Sequence, residues 1–283
     1  MGCEFLEKVL NKKRKGSYSV EEVKNRRLPV NTPLVKIPFG GITSNMLRII
    51  AVSLMVTDHI WATVMSFGSW MTYIGRMAFP IFAFQIAEGF IHTSDVKKYA
   101  KRLLAFALIS EIPFDLFTIS TWLNPFHQNV MFTLLLGLLA IMVIDNLRKS
   151  IKEKTATPQN IIVSVVLLGL IFVAAFFGFV DYSFWGVATV VMFYLLRDFP
   201  FAWLAQLVAM VLINVVFFEG QMFNVELLGR SFEIPTQSLA VLSLIPIWLY
   251  GGKKGRSSKV MQYGFYAFYP LHMIVLYLIK HFA

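Results

Sequence analysis

Apolar runs of about 17–22 residues recur from residue 46 to the end of the chain, the length an α-helix needs to cross a bilayer. Backbone in lipid must satisfy its own hydrogen bonds, so such runs fold as helices. Their spacing predicts about nine spans, near 46–66, 71–93, 103–119, 130–146, 160–180, 184–197, 202–218, 237–250 and 262–280. The expected fold is therefore all-α, a polytopic membrane helical bundle. Composition agrees, with 57% of the 283 residues hydrophobic and 15% charged. No repeat of fixed period and no low-complexity tract divides the chain. Two parts are expected: a basic cytoplasmic arm, 1–42, and a transmembrane domain, 43–283. Pro29, Pro33, Pro38 and Gly40-Gly41 interrupt any helix on the approach to the first span.

Charge sets the orientation. The net charge is +10, and the cations fall in alternate connections. Lys12, Lys13, Arg14, Lys15, Lys24, Arg26 and Arg27 precede the first span. Lys97, Lys98, Lys101 and Arg102 follow the second, then come Arg148, Lys149, Lys152 and Lys154, then Arg197, then Lys253, Lys254, Arg256 and Lys259. The opposite connections hold Asp181, Glu219, Glu226 and Glu233, with Arg230 and Lys280 as cations. By the positive-inside rule the N-terminus is cytoplasmic and the C-terminus external. The lipid bilayer is an expected partner, and the arm would attract anionic headgroups. No basic groove interleaved with stacking aromatics appears, so nucleic acid is not expected. No apolar stretch follows the basic start at signal-peptide distance, so the arm is not read as a cleaved leader. The single cysteine, Cys3, excludes an internal disulfide and a Cys-based metal cluster, and Leu6 stands where a myristoylation pattern wants Ser or Thr. The histidines lack i,i+4 pairing, so no metal site is expected.

Asp58, His59, Arg76, Glu88, Glu111, Asp115 and His272 lie inside these apolar segments. Charge at bilayer depth is costly, so such groups face a protein interior or wet cavity and work there. At about 1.5 Å rise per residue, Asp58 lies ~18 Å from the cytoplasmic start of its span, Glu111 and Asp115 ~12 and ~18 Å, and His272 ~15 Å. Arg76 enters ~8 Å from the far side. Five of these side chains therefore fit one layer between the midplane and the outer half. Glu111 and Asp115 share a helix face, with Pro113 between them to bend the span. Asp58 and His59 point about 100° apart, so they need a bend or a division of labour. Pro80 and Pro270 break two further spans, as is tolerated beside a cavity. Plainer readings exist for each. His272 is also read as a hydrogen-bonded packing residue. Arg76 with Glu88, Glu111 or Asp115 is also read as a buried ion pair fixing helix register. Glu88 and Arg102 sit where snorkelling accounts for them. His127 reads as solvated in an outer loop, and His92 and His281 as boundary residues.

Four motifs carry a resemblance: MVTDHI (55–60), GRMAFPIFAFQIAEGF (75–90), RLLAFALISEIPFDL (102–116) and NVMFTLLLG (129–137). Together they resemble the TraX family, membrane proteins of bacterial conjugation named for N-terminal acetylation of pilin. The closing FYPLHMIVL (268–276) is similar to the wider group of membrane-embedded acyltransferases, which includes the lysosomal heparan N-acetyltransferase. The long basic arm and the SEIPFDL segment depart from the pilin-linked members, and the SEIPFDL segment looks like the Gram-positive branch. The resemblance thus implies a reaction type more than an acceptor. It implies acetyl transfer, in the bacterial cytoplasmic membrane, from cytosolic acetyl-CoA to an amine or hydroxyl on a protein N-terminus, a glycan or a small molecule.

Such a reaction needs a base, an oxyanion stabiliser and a grip on coenzyme A. His59 is the expected base, with a pKa near working pH, and His272 the alternative. Asp58 or Asp115 would orient it, as carboxylates do in triads. Arg76 or Asn129 would donate to the oxyanion, and Glu111 belongs to the same layer. Arg102, with Lys97, Lys98 and Lys101, lies where coenzyme A phosphates would arrive. Two other classes use the same residues. A proton-coupled transporter would employ the acids and imidazoles as a relay. A non-enzymatic membrane assembly factor would keep them for packing.

Overall fold

In a computed structural model, residues 41–65, 68–218, 221–227, 229–256 and 258–282 are described. Nearly all of the expected arm, and Glu219, lie outside the described residues. The chain is mostly helical: α1 (Ser44–Thr63), α2 (Trp70–Gly75), α3 (Ala78–His92), α4 (Val96–Ile119), α5 (Val130–Lys152), α6 (Pro158–Phe177), α7 (Ser183–Leu195), α8 (Ala202–Val211), α9 (Leu244–Trp248) and α10 (Lys259–Phe282). Polar residues start the long ones. Thr43, Asp95, Asn129 and Thr157 each accept a bond from an orphan amide in the first turn of α1, α4, α5 and α6, and Pro158 opens α6.

Among the described residues, four helical stretches are long and apolar enough to cross a membrane: α1, α2 with α3 end to end, α5 and α6. Helices α4 and α10 have the length, 24 residues each. In α4, four cations and two acids dilute the hydropathy. Three expected spans depart from regular helix. The 71–93 span breaks at Arg76 and Met77, between α2 and α3. The 202–218 span ends in a π turn, Leu212–Phe217. The 237–250 span is a 3-10 stretch, Thr236–Ser243, running into the five-residue α9.

To the expected helices the structure adds one hairpin of two antiparallel strands, β1 (Met222–Leu227) and β2 (Arg230–Pro235), in the register Phe223↔Ile234 and Val225↔Phe232. Its signal is in the sequence. Phe223 and Val225 are half-buried, while Asn224 and Glu226, alternating with them, are exposed. That is the alternation of a strand lying on an apolar surface. Gly229 turns the chain at φ 73°, a left-handed conformation that glycine adopts freely.

Successive connections contact one another at opposite ends of the bundle. At the basic end Ser44 accepts from Gln85, Glu88 pairs with Arg197, Trp248 bonds Gln206, and the start of α1 bonds Lys253 and Lys254. At the other end Gln128 bridges Val180, Tyr73 meets Phe223, and Ser120 meets His281. The core runs through α3, α5 and α7, with Phe84, Leu138, Ile141, Val190 and Phe193 buried. Gly137 lets α5 and α7 touch, since a Cβ there would sit 2.7 Å from Val190 Cβ. Close backbone approach over small residues is how helices associate in lipid. Helix α6 leans on α5 and α7 but leaves Ile162, Val165, Leu170 and Val173 exposed, an apolar face suited to acyl chains.

Candidate functional site

Helices α1, α2, α4 and α10 bring one polar cluster together. His59 Nδ1 and His272 Nε2 are 2.7 Å apart with their rings stacked, although 213 residues separate them. Counting protons assigns the tautomers. His272 Nδ1 lies 3.0 Å from the Phe268 carbonyl, which only accepts, so that nitrogen donates. Neutral His272 therefore accepts at Nε2, and His59 donates from Nδ1. His59 Nε2 is left as a bare lone pair, with no hydrogen-bond partner among the described residues. The Phe117 ring, 4.8 Å away, braces the imidazole.

Asp58, next in sequence, faces a different partner. Arg76 Nη2 donates to its two oxygens at 3.1 and 3.2 Å and to Thr72 Oγ1 at 2.9 Å. The α2–α3 break at Arg76 is what aims this side chain back at α1. Gly75 makes the approach possible: a Cβ there would overlap Asp58 Cβ and reach 2.8 Å from its Cγ. Division of labour thus resolves the 100° between Asp58 and His59. His59 is oriented by His272, and neither Asp58 nor Asp115 bonds it. Arg76 pairs with Asp58 and not with Glu88, Glu111 or Asp115.

The other expected residues form a second cluster, where α4 meets the connection into α5. Asn129, fully buried, caps α5 through Oδ1 at 3.0 Å from Met131 N. Its side-chain amide donates to the Ala107 carbonyl at 2.8 Å and to Glu111 Oε2. Both amide hydrogens are committed, so in this arrangement Asn129 has no donor for an oxyanion. Asp115, also fully buried, accepts from Asn124 N at 2.8 Å, while its Oδ1 and Glu111 Oε1 are buried with no partner among the described residues. His127 is half-buried between Asp181, 3.9 Å away, and Phe114, not simply solvated. Asp181 raises the His127 imidazole above its ordinary range against the opposing effect of burial.

At the basic end, Glu88 is buried rather than snorkelling. Arg197 Nε donates to it at 2.6 Å, and His92 Nε2 lies 3.2 Å away. Lys97, Lys98 and Lys101 are exposed on the first turns of α4, and Lys98 pairs with Asp95 at 3.3 Å. Arg102 is half-buried, with its guanidinium 5.6 Å over the Tyr99 ring. A cavity of about 110 Å³ lies between this end and the histidines. None of Asp58, His59, Arg76 and His272 lines it. Its walls include Met55 and Phe268, each one helical turn before a histidine, and Tyr269. Sequence reasoning passed over Thr72, Gly75 and Phe268. Gly75 stands in a quoted motif, but its role needs the α1–α2 contact to be seen.

The family described as TraX protein matches residues 43–280. The chain belongs to the TraX family. It is 30% identical over 251 residues to the probable fimbrial assembly protein FimC, serogroup H1, of Dichelobacter nodosus, covering 81% of this chain and 92% of that one. The shared stretch takes in both polar clusters, since the family match runs from before α1 almost to the end of α10. No solved structure matches the chain.

Proposed function

We propose that this chain is an acetyltransferase of the bacterial cytoplasmic membrane, moving acetyl from cytosolic acetyl-CoA to an amine or hydroxyl acceptor. The observation that carries the reading is the His59–His272 hydrogen bond. It fixes one imidazole by another and leaves a lone pair at His59 Nε2, the arrangement a general base needs. The chain crosses the bilayer about nine times in this reading, N-terminus inside and C-terminus outside. Support comes from the basic connections gathering at one end of the bundle.

In the reaction, His59 Nε2 takes the proton of the acceptor N–H or O–H as its nitrogen or oxygen attacks the thioester carbonyl. The oxyanion that forms is stabilised by Arg76, whose Nη1 has no partner among the described residues and whose charge Asp58 holds in place. The C–S bond then breaks, the sulfur leaves with the proton from His59, and the products are acetylated acceptor and coenzyme A. His272 shares the positive charge that His59 gains. A protein N-terminus as acceptor is what the family resemblance suggests, and the Dichelobacter nodosus relative, named for fimbrial assembly, is compatible with it.

That relative's name also favours a second reading, a non-enzymatic assembly factor. Purified protein with radiolabelled acetyl-CoA and membrane extract separates the two. Transfer of label to a membrane component, lost in His59→Ala and His272→Ala variants that keep their thermal stability, is the expected result. Label transfer at wild-type rate in both variants, or ion-driven uptake with no acetyl turnover, would overturn the enzymatic reading.

A further inference from the structure

The connection from α6 into α7 holds three side chains in a backbone conformation that suits glycine. Phe179, Tyr182 and Ser183 have φ of 50°, 62° and 48°. A bulky residue is rarely left there, and such outliers gather where a side chain is held for use. The surrounding bonds explain how the turn persists. Gln128 N donates to the Phe179 carbonyl and Asp181 N to the Gln128 carbonyl, each at 2.9 Å, and Thr133 Oγ1 donates to the Asp181 carbonyl. Asp181 Oδ1 accepts from Tyr182 N at 3.1 Å. Tyr182 stands at the N-cap of α7 but makes no side-chain bond to the helix, so its hydroxyl is not spent on capping.

What the turn fixes is the Tyr182 ring. It stacks on Phe79, with centroids 3.9 Å apart and planes within 11°. Gly186 makes room for it, since a Cβ there would sit 2.8 Å from Tyr182 Cβ and 2.5 Å from Thr133 Cγ2. Phe79 lies in the first turn of α3, three residues after Arg76, so the stack carries the phenol to the α2–α3 break. There the Tyr182 phenol and the Arg76 guanidinium stand in each other's field, with Asp58 and Asp181 as the neighbouring acids. The Tyr182 hydroxyl has no hydrogen-bond partner among the described residues, like Nη1 of Arg76 and Nε2 of His59. All three residues are partly exposed, which leaves these open atoms within reach of a bound molecule.

Building on the acetyltransferase reading, we infer that Tyr182 is a further catalytic residue, the second donor to the oxyanion beside Arg76. Its O–H gives a hydrogen bond and keeps its proton. The bond strengthens as the attacking nitrogen or oxygen turns the thioester carbonyl oxygen into an oxyanion, and slackens when the C–S bond breaks and the carbonyl re-forms. Proton movement stays with His59. Asp58 offsets much of the Arg76 charge, so a neutral donor at the same place adds stabilisation that the ion pair gives up. The plainer role for Tyr182, packing against Phe79, leaves the hydroxyl without use, and the experiment separates the two.

Two measurements on the full chain in nanodiscs make the test. One is the kinetics of transfer from radiolabelled acetyl-CoA to membrane extract. The other is fluorine NMR of a chain carrying 3-fluorotyrosine at position 182. Tyr182→Phe keeps the ring, its stack and the backbone turn, so its melting temperature should match the wild type. Its kcat should fall about 10²-fold, as on loss of one oxyanion donor, with KM for acetyl-CoA within about twofold. Exposed Tyr263→Phe should change neither. The fluorine, beside the hydroxyl, should change its resonance in Arg76→Gln and keep it in Lys152→Ala, at the basic end. A wild-type kcat in Tyr182→Phe, or a fluorine indifferent to Arg76→Gln, would overturn the assignment and leave the acetyltransferase reading standing. No transfer by the unmodified chain, with the fluorine still answering to Arg76, would defeat that reading and the catalytic role with it.

Discussion

The two polar clusters inside the bundle use the same kinds of side chain in opposite ways. Around Asn129, side chains bond mainly to backbone: an α5 amide, the Ala107 carbonyl and the Asn124 amide. Around His59, side chains bond mainly to one another; open valences remain in both clusters, Nε2 of His59 and Nη1 of Arg76 here, Asp115 Oδ1 and Glu111 Oε1 there. Polar groups spent on helix ends hold architecture together, because every orphan amide in an apolar interior must find a partner. Groups that orient each other are fixed relative to one another, which is what the proposed proton transfer at His59 requires.

That contrast is sharpest where the largest effect is expected. His59→Ala should lower acetyl transfer by about 10²–10⁴-fold, the usual contribution of a positioned base, with the melting temperature nearly unchanged. A similar loss in His272→Ala would place both rings in one unit, whereas a wild-type rate there would break the couple apart. Next comes Gly75→Ala. The added methyl overlaps Asp58, so α1 and α2 must separate, at about 1–3 kcal/mol of stability. Transfer should fall with it, because the Asp58–Arg76 bonds lengthen. Unchanged melting and unchanged rate would refute the steric reading.

The second cluster should answer in stability alone. Asn129→Ala removes a helix cap and leaves the Glu111 carboxylate short of a donor, costing about 1–3 kcal/mol. In the surviving folded protein kcat should stay within about threefold, since architecture and not proton transfer is lost. A hundredfold fall in kcat at preserved melting temperature would erase the distinction between the clusters.

The smallest effect is one of pH. Asp181 raises the folded-state pKa of His127, so their attraction is fully present below the ordinary imidazole value of about 6.5. It is lost as pH rises through the elevated value. With His127 at 45% exposure, screening keeps it below ~1 kcal/mol. Melting temperature should therefore decline slightly from about pH 6 to 8, and Asp181→Asn should flatten that slope. An identical slope in the variant would remove the pair from any account of stability.

Much of the bundle was legible in order along the chain. Hydropathy located the helices but not the split at Arg76, the π turn of 212–217 or the 3-10 turn of 236–243, where local geometry departs from the α-helix without a change in hydropathy. Strand β1 is visible as an alternation of period two, but its six residues are outweighed by the apolar runs on either side. For the polar residues, depth along each helix was readable and partners were not. Glu88 shows this: its position suits snorkelling, yet Arg197, 109 residues later, reaches in and covers it.

The amino-acid order alone determined that the chain builds apolar helices, that basic connections alternate with acidic ones, and that Asp58 and His59 cannot serve one target from an undistorted helix. Those are consequences of rise and rotation per residue, which hold before any helix meets another. Tertiary packing alone decided which targets they serve. It set Arg76 against Asp58 through the missing side chain of Gly75, and closed His272 onto His59 across 213 residues. Such pairings depend on distances between helices, and no local property of the chain encodes those.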